Sequence, residues 1–299
     1  MKSFSALIAL ALSGACLAAG DPPKPRDGDS TEGRLAENTR VPRARSATPQ
    51  ATAAPKPAAT TTRAPAVYTP PRRSDGRRVV AIDIGHTAAS PGALSATGRG
   101  EFLFNKDIAE ALAARLRDHP QLAPVIINPK GAPISLPMRT TLAARAGAEL
   151  FIAIHHDSAQ DKYFATWLVD GKPQRYSDHF QGYGVFISGK SRQAAASLKF
   201  AKLLGGQMAE AGFEFSPHHS EPIAGENRPI IDRGNGVYRY DDLIVLKSAL
   251  MPAVLLECGV IANRTQEPIL RAPATHEKIV RAIVAALEQF FATPEATER

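Results

Sequence analysis

VVAIDIGH, residues 79–86, is the stretch of sequence that decides the fold. It is apolar at nearly every position before Gly85 and His86, which is typical of a strand buried on both faces. Segments whose apolar residues recur at helical spacing separate it from later runs of the same kind. The other runs are 124–128, 149–154, 182–188 and 252–257, and the helical segments are 101–117, 191–211 and 274–291. This alternation predicts an α/β fold, a three-layer sandwich with a mostly parallel central sheet and helices on both faces.

Composition divides the chain into further parts on either side of this domain. Residues 1–20 have a short basic start, an apolar centre and a run of small residues, which predicts a secretory signal peptide and export to the periplasm or cell envelope. Lipidation of Cys16 is the alternative to simple cleavage. Residues 21–78 are rich in Pro, Ala, Thr and Arg, which predicts a disordered linker. Residues 79–292 then suffice for one domain with an ordinary core, followed by a tail at 293–299.

Charge is concentrated in the linker. The formal net charge is +7, and residues 21–78 contribute +6 of it, from twelve Lys or Arg against six Asp or Glu. The folded part is therefore nearly neutral, and no aromatic residues alternate with the basic ones, so nucleic acid is not expected as a partner. Two interpretations of the basic linker stay open: a solvated spacer, or weak attraction to anionic wall polymers or lipid head groups.

Three polar residues occupy the same topological position. His86 follows the first buried run, His155 follows the run at 149–154, and Glu257 closes the run at 252–257. Because ligands bind at the carboxyl edge of parallel sheets, these side chains are expected to lie near one another. Two imidazoles and one carboxylate are a common catalytic zinc set. Glu101, in the first turn of the next helix, supplies that carboxylate in this interpretation.

Several ordered segments then resemble one known family. AIDIGH and GEFLFNKDIAEALAARL, RTTLAARAGAELFIAIHHDS, and PAVLLECGVIANRTQEPIL resemble successive blocks of the zinc-dependent N-acetylmuramoyl-L-alanine amidases of the LytC/AmiC type. The resemblance covers about residues 79–291. The chain departs from it at Thr87 and Ala88, where the family usually has glycines, and at His156, where Ala or Asn often follows the last metal ligand.

The resemblance implies specific roles. The metal ligands, for Zn²⁺, fall on His86, Glu101 and His155, and the catalytic general acid and base falls on Glu257. The implied reaction is hydrolysis of the amide between N-acetylmuramic acid and L-alanine of peptidoglycan stem peptides. Two alternatives are another zinc hydrolase, such as a peptidase or carboxypeptidase acting on wall peptides, and a catalytically inactive peptidoglycan-binding module. Whether a protein activator is needed is left open.

Other residues near these motifs carry weaker expectations. Side chains alternate along a strand, so His156 is expected to point away from His155 and to act structurally, with metal binding in place of His155 and substrate binding as the alternatives. Arg139 is interpreted as structural, with substrate binding as the alternative, and Asp83 as a residue that orients His86 or a neighbouring loop. Two further expectations concern loops. His218 and His219 are expected on a solvated loop rim, with substrate contact as the alternative, and residues 157–182 are expected to form a long surface loop or a hairpin insertion.

Overall fold

The structure is a computed structural model that describes residues 68–71 and 73–292. The predicted signal peptide at 1–20 with Cys16, the linker up to residue 67, and the tail at 293–299 lie outside the described residues. No helix within the described ranges combines the length and the apolar character needed to cross a bilayer.

The predicted strands and helices are present, with added short elements. The strands are β1 (Arg78–Ile84), β2 (Leu122–Ile127), β3 (Leu150–Asp157), β4 (Ala165–Val169), β5 (Lys172–Tyr176), β6 (Gly184–Ile187), β7 (Ile230–Asp232), β8 (Val237–Arg239) and β9 (Ala253–Val260). The α-helices are α1 (Glu101–Arg117), α2 (Leu136–Arg145), α3 (Ala194–Glu210), α4 (Ile244–Lys247), α5 (Gln266–Leu270) and α6 (Pro273–Ala292). Short 3₁₀ helices occur at Asp161–Tyr163 and His218–Ser220.

Seven strands form the central sheet in the order β2-β1-β3-β9-β6-β8-β7. The pairs along β2, β1, β3 and β9 are parallel, whereas β6 runs antiparallel to β9 and β7 antiparallel to β8. The predicted mostly parallel sheet is therefore confirmed. The parallel strands bring their carboxyl ends to one edge, where the polar residues identified in the sequence stand.

Helices cover both faces of this sheet, which confirms the three-layer sandwich. Along β1, Val80, Ile82 and Ile84 pack with α1, α3 and α6, whereas Val79 and Ala81 face the side of α2 and α4. This alternation follows from the two-residue period of a strand. Because both faces are covered, the central strands are apolar at nearly every position, as β1 is from Val79 to Ile82.

Two segments outside the central sheet pack against the domain. The Tyr68 hydroxyl lies 3.0 Å from the carbonyl oxygen of Ala148, so contacts begin upstream of residue 79, the predicted domain start. Between β3 and β6, the strands β4 and β5 pair in an antiparallel hairpin, which confirms the hairpin alternative for residues 157–182. Trp167 of the hairpin donates from Nε1 to the carbonyl oxygen of Ala96 at 2.7 Å, which ties it to the loop before α1.

Candidate metal centre and active site

The carboxyl edge of the sheet brings the predicted site residues together. His155 on β3 and Glu257 on β9 are direct neighbours in the register of the two parallel strands. His86 follows β1 by two residues, and Glu101 is the first residue of α1. The candidate ligand atoms of His86, Glu101 and His155 all lie within 4.8 Å of one another. The convergence expected from the sequence is therefore present.

The carboxylate of Glu101 is the centre of this group. Its Oε2 lies 2.9 Å from Nε2 of His86, and its Oε1 lies 3.0 Å from Nδ1 of His155. Although close to Glu101, the Nε2 of His86 is buried without a hydrogen bond of acceptable geometry. An imidazole nitrogen and a carboxylate oxygen that meet without bonding to each other fit a position that a cation fills. Two imidazoles and a carboxylate are donors suited to Zn²⁺.

Glu101 is held rigidly by groups behind it. Asn105, four residues further along α1, donates from Nδ2 to Oε1 at 3.1 Å, and the backbone N–H groups of Ala93 and His156 donate to the same carboxylate. Burial opposes ionisation of Glu101, but the neighbouring His86 and His155 outweigh it and hold its pKa well below the usual range. Glu101 is therefore an ionised, oriented carboxylate.

The backbone at His86 adopts a conformation that needs support. Its φ is 67°, in the left-handed region that a non-glycine residue rarely occupies. Arg139 of α2 donates from Nη2 to the His86 carbonyl oxygen at 2.5 Å, and from Nη1 to the Ile84 carbonyl oxygen at 2.6 Å and to Oδ1 of Asp83 at 2.8 Å. Arg139 thus fixes the turn that presents His86, and Asp83 acts on this turn through Arg139.

Glu257 is poised differently from Glu101. It is 1% exposed, and its Oε2 has no hydrogen-bond partner. Burial, reinforced by the carboxylates of Asp157 and Glu101, raises the pKa of Glu257 well above its usual range. A carboxyl group that is easily protonated and not tied up by hydrogen bonds is suited to exchanging protons.

His156 takes the structural position expected from strand alternation. Its Nδ1 donates to Oδ1 of Asn105 at 2.8 Å, and Asn105 in turn donates to Glu101. Burial lowers the pKa of His156 to about 3, so the imidazole is neutral. His156 therefore orients the carboxylate from behind while His155 faces it.

His218 and His219 correct the prediction of a solvated loop rim. Their exposed fractions are only 4% and 8%, and both Nε2 atoms point at Oδ2 of Asp157. The attraction of Asp157, and then of Glu226, outweighs burial and raises the pKa of His219 to about 10. The loop folds back onto the end of β3, where the carboxylate of Asp157 is the polar partner of both rings. The prediction was wrong because the composition of the segment SPHHSE is polar, whereas its burial depends on contacts with Asp157, which is distant in sequence.

Two supporting residues were missed from the sequence. Asn105 stands four residues after Glu101, so helical spacing alone places both on one face of α1 and could have identified it. Gly92 carries a weaker signal. Its φ is +77°, and a Cβ there would lie 2.6 Å from Cδ2 of His86 and overlap Oε2 of Glu101. The absence of a side chain at Gly92 leaves room for the two ligands.

Comparison with known proteins identifies the family to which the chain belongs. A family described as N-acetylmuramoyl-L-alanine amidase has a sequence profile that matches residues 80–289, which is more than half of the chain. The chain belongs to this amidase family. The match begins inside β1 and ends inside α6, so it includes all the site residues.

Named relatives in the amidase family share about a quarter of the sequence. The probable N-acetylmuramoyl-L-alanine amidase AmiB of Haemophilus influenzae is 25% identical over 231 residues, which are 71% of this chain and 51% of that protein. The chain thus matches about half the length of this relative. Amidase AmiA of Escherichia coli K12 is 25% identical over 228 residues, covering 74% of this chain and 78% of AmiA.

A solved amidase domain shares the fold. The catalytic domain of CwlV, an N-acetylmuramoyl-L-alanine amidase from Bacillus (Paenibacillus) polymyxa var. colistinus, superposes with a TM-score of 0.55 at 24% identity. The superposition covers 73% of this chain and 99% of that domain. It supports the α/β architecture of this family member.

Arg139→Met tests the support of the His86 turn. The exchange leaves the buried carboxyl of Asp83 without its cation and frees the carbonyl oxygens that Arg139 binds. We expect the free energy of unfolding to fall by about 3–5 kcal/mol, the usual cost of breaking a buried ion pair. Chemical denaturation measures this loss. Arg145→Met, at an exposed position of the same helix, is the matched control, and equal stability of the two variants would contradict the role of Arg139.

Proposed function

We propose that this chain is an exported, zinc-dependent hydrolase that cleaves the amide between N-acetylmuramic acid and L-alanine of peptidoglycan stem peptides. The observation that carries the proposal is the convergence of His86, Glu101 and His155 next to the buried carboxyl of Glu257. Membership of the amidase family and the names of the relatives support the substrate. Export rests on the signal-like sequence at 1–20.

The donor set fits a zinc ion. Burial lowers the pKa of His155, which favours the neutral imidazole that a metal requires. The ionised Glu101 offers one oxygen toward each histidine. When bound, Zn²⁺ would polarise the amide carbonyl, lower the pKa of a water and offset the negative charge that raises the pKa of Glu257.

The residues of the chain have separate roles in metal binding, ligand positioning and proton transfer. His86, Glu101 and His155 hold the ion, and Arg139 and Asn105 keep two of these ligands in place. Glu257 takes a proton from the attacking water with its carboxylate and delivers that proton to the nitrogen that leaves as L-alanine departs. Its lack of hydrogen-bond partners at Oε2 supports this role, because that oxygen is free to bind the proton.

A cavity lies against the two histidines on the side of α2, and neither Glu101 nor Glu257 lines it. It measures about 210 Å³, and both His86 and His155 line it. Its other walls include the apolar side chains of Ile134, Leu136, Val245 and Leu255. Thr87 and Ser90 add polar groups. This mixed lining is typical of pockets that bind small organic groups.

The products of digestion test the proposed reaction. We expect the zinc-loaded protein, incubated with purified sacculi, to release whole stem peptides that begin with L-alanine and to leave glycan strands without peptides. Mass spectrometry identifies both products. Shortened stem peptides would instead identify a wall peptidase, and sacculi left intact by the zinc-loaded protein would identify a binding module.

A further inference from the structure

A second group of metal-binding side chains lies outside the site described above. Asp157, His218 and His219 place one ligand atom each within 4.8 Å of one another. Oδ2 of Asp157 lies 3.0 Å from Nε2 of His218 and 2.6 Å from Nε2 of His219. All three residues are buried. The group therefore has the same donor chemistry as the first site, one carboxylate and two imidazoles.

The outer nitrogens of both histidines are bound by other side chains. Nδ1 of His218 lies 2.8 Å from Oγ of Ser216, and Nδ1 of His219 lies 2.8 Å from Oε2 of Glu226. Metal-bound histidines almost always donate their second N–H to a hydroxyl, carbonyl or carboxylate, which fixes the ring and its tautomer. Ser216 and Glu226 supply this arrangement for both rings. They leave the two Nε2 atoms aimed at one point.

The spacing of the donors suits a small ion. Zinc bonds to nitrogen and oxygen are about 2.0–2.1 Å long, so neighbouring donors of a tetrahedral site stand about 3.3 Å apart. The Nε2 atoms of His218 and His219 would each have to move only about 0.3–0.8 Å from Asp157 to reach that spacing. The two rings already lie close together, with centroids 4.0 Å apart.

Without a cation, the buried group of Asp157, His218 and His219 is electrostatically unfavourable. His219 is hydrogen-bonded to two carboxylates, those of Asp157 and Glu226, so its buried imidazole has to carry a proton on each nitrogen. Burying an imidazolium is costly, and its charge must be balanced by both acids. A divalent cation held by Asp157 and the two Nε2 atoms would balance Asp157 and leave a neutral His219 to donate from Nδ1 to Glu226.

We propose that Asp157, His218 and His219 form a second site for a zinc-like divalent cation, oriented by Ser216 and Glu226. The ion fastens the 3₁₀ helix His218–Ser220 to the end of β3, two residues beyond His155. It thereby joins the loop to the edge of the sheet that carries the first site.

Zinc stoichiometry of the full exported chain tests this second site. The metal-free protein is titrated with ZnCl₂ alone, and bound zinc is counted by mass spectrometry after gel filtration. We expect two equivalents in the unchanged chain and one in the variant that carries both His218→Asn and His219→Asn. Glu226→Gln should keep both ligands but weaken the second equivalent by about 10–100-fold. His179→Asn, at an exposed histidine, is the matched control and should keep two equivalents.

The outcomes separate the two sites. One equivalent in the unchanged chain that disappears in His86→Ala would overturn the second site, as would two equivalents in the double histidine variant. If that variant does not fold, Glu226→Gln decides, and unchanged affinity for both equivalents would overturn the proposal. A single equivalent that survives in His86→Ala but disappears in the double variant would instead support this site and contradict the first one.

Discussion

Glu257→Gln is expected to reduce turnover by roughly 10²–10⁴ while leaving the zinc content unchanged. Glutamine has the same shape as glutamate but cannot take up or deliver the proton. The fold should tolerate it, because Oε2 of Glu257 has no hydrogen-bond partner that an amide nitrogen would displace. Peptide release from sacculi measures turnover, and mass spectrometry counts the zinc.

Glu277→Gln is the control for this variant, since Glu277 is an exposed residue of α6 that pairs with Arg281 and belongs to neither candidate metal group. It should retain full activity. Normal turnover in Glu257→Gln would refute the proton-transfer role. Loss of zinc together with activity would instead assign Glu257 to the metal.

His86→Ala is expected to weaken zinc binding at the first site by more than about 100-fold, beyond the effect of losing a residue that only orients a ligand. The substitution removes one of three donors, and Glu101 and His155 then have to hold the ion alone. Alanine is no better suited than histidine to the left-handed backbone, so the substitution does not relieve the turn. Activity on sacculi should fall with zinc occupancy.

His179→Ala is the matched control for this loss, because the side chain is exposed and lies outside both candidate metal groups. The comparison to make is the number of zinc equivalents retained after dialysis. His86→Ala should hold one equivalent fewer than His179→Ala. Equal zinc content in the two variants would remove His86 from the ligand set.

The central layers of the fold could be read from the sequence because their signals are local. Apolar runs such as 79–84 and stripes such as that of 101–117 follow the periods of strand and helix directly. The direction of β6 could not be read, since an apolar run has the same pattern whichever way it lies beside β9. The three-residue strands β7 and β8 are too short to show a period.

The convergence of His86, Glu101 and His155 was predictable from topology. Each stands at or just beyond the same end of a parallel strand or at the start of the helix that follows, and parallel strands share that edge. The burial of His218 and His219 was not predictable in this way. It depends on a polar loop meeting Asp157, more than sixty residues earlier in the chain, and no pattern within the loop records that contact.

His155 and His156 are chemically identical neighbours that the strand assigns to opposite faces. Their roles are therefore determined by the position of each residue in the alternation of the strand and not by side-chain type. Inserting or deleting one residue in the hydrogen-bonded part of β3 would exchange the two rings between Glu101 and Asn105. A relative with a histidine pair at this point has to be aligned by the register of its strand. Residue type alone does not show which of the two imidazoles faces the site.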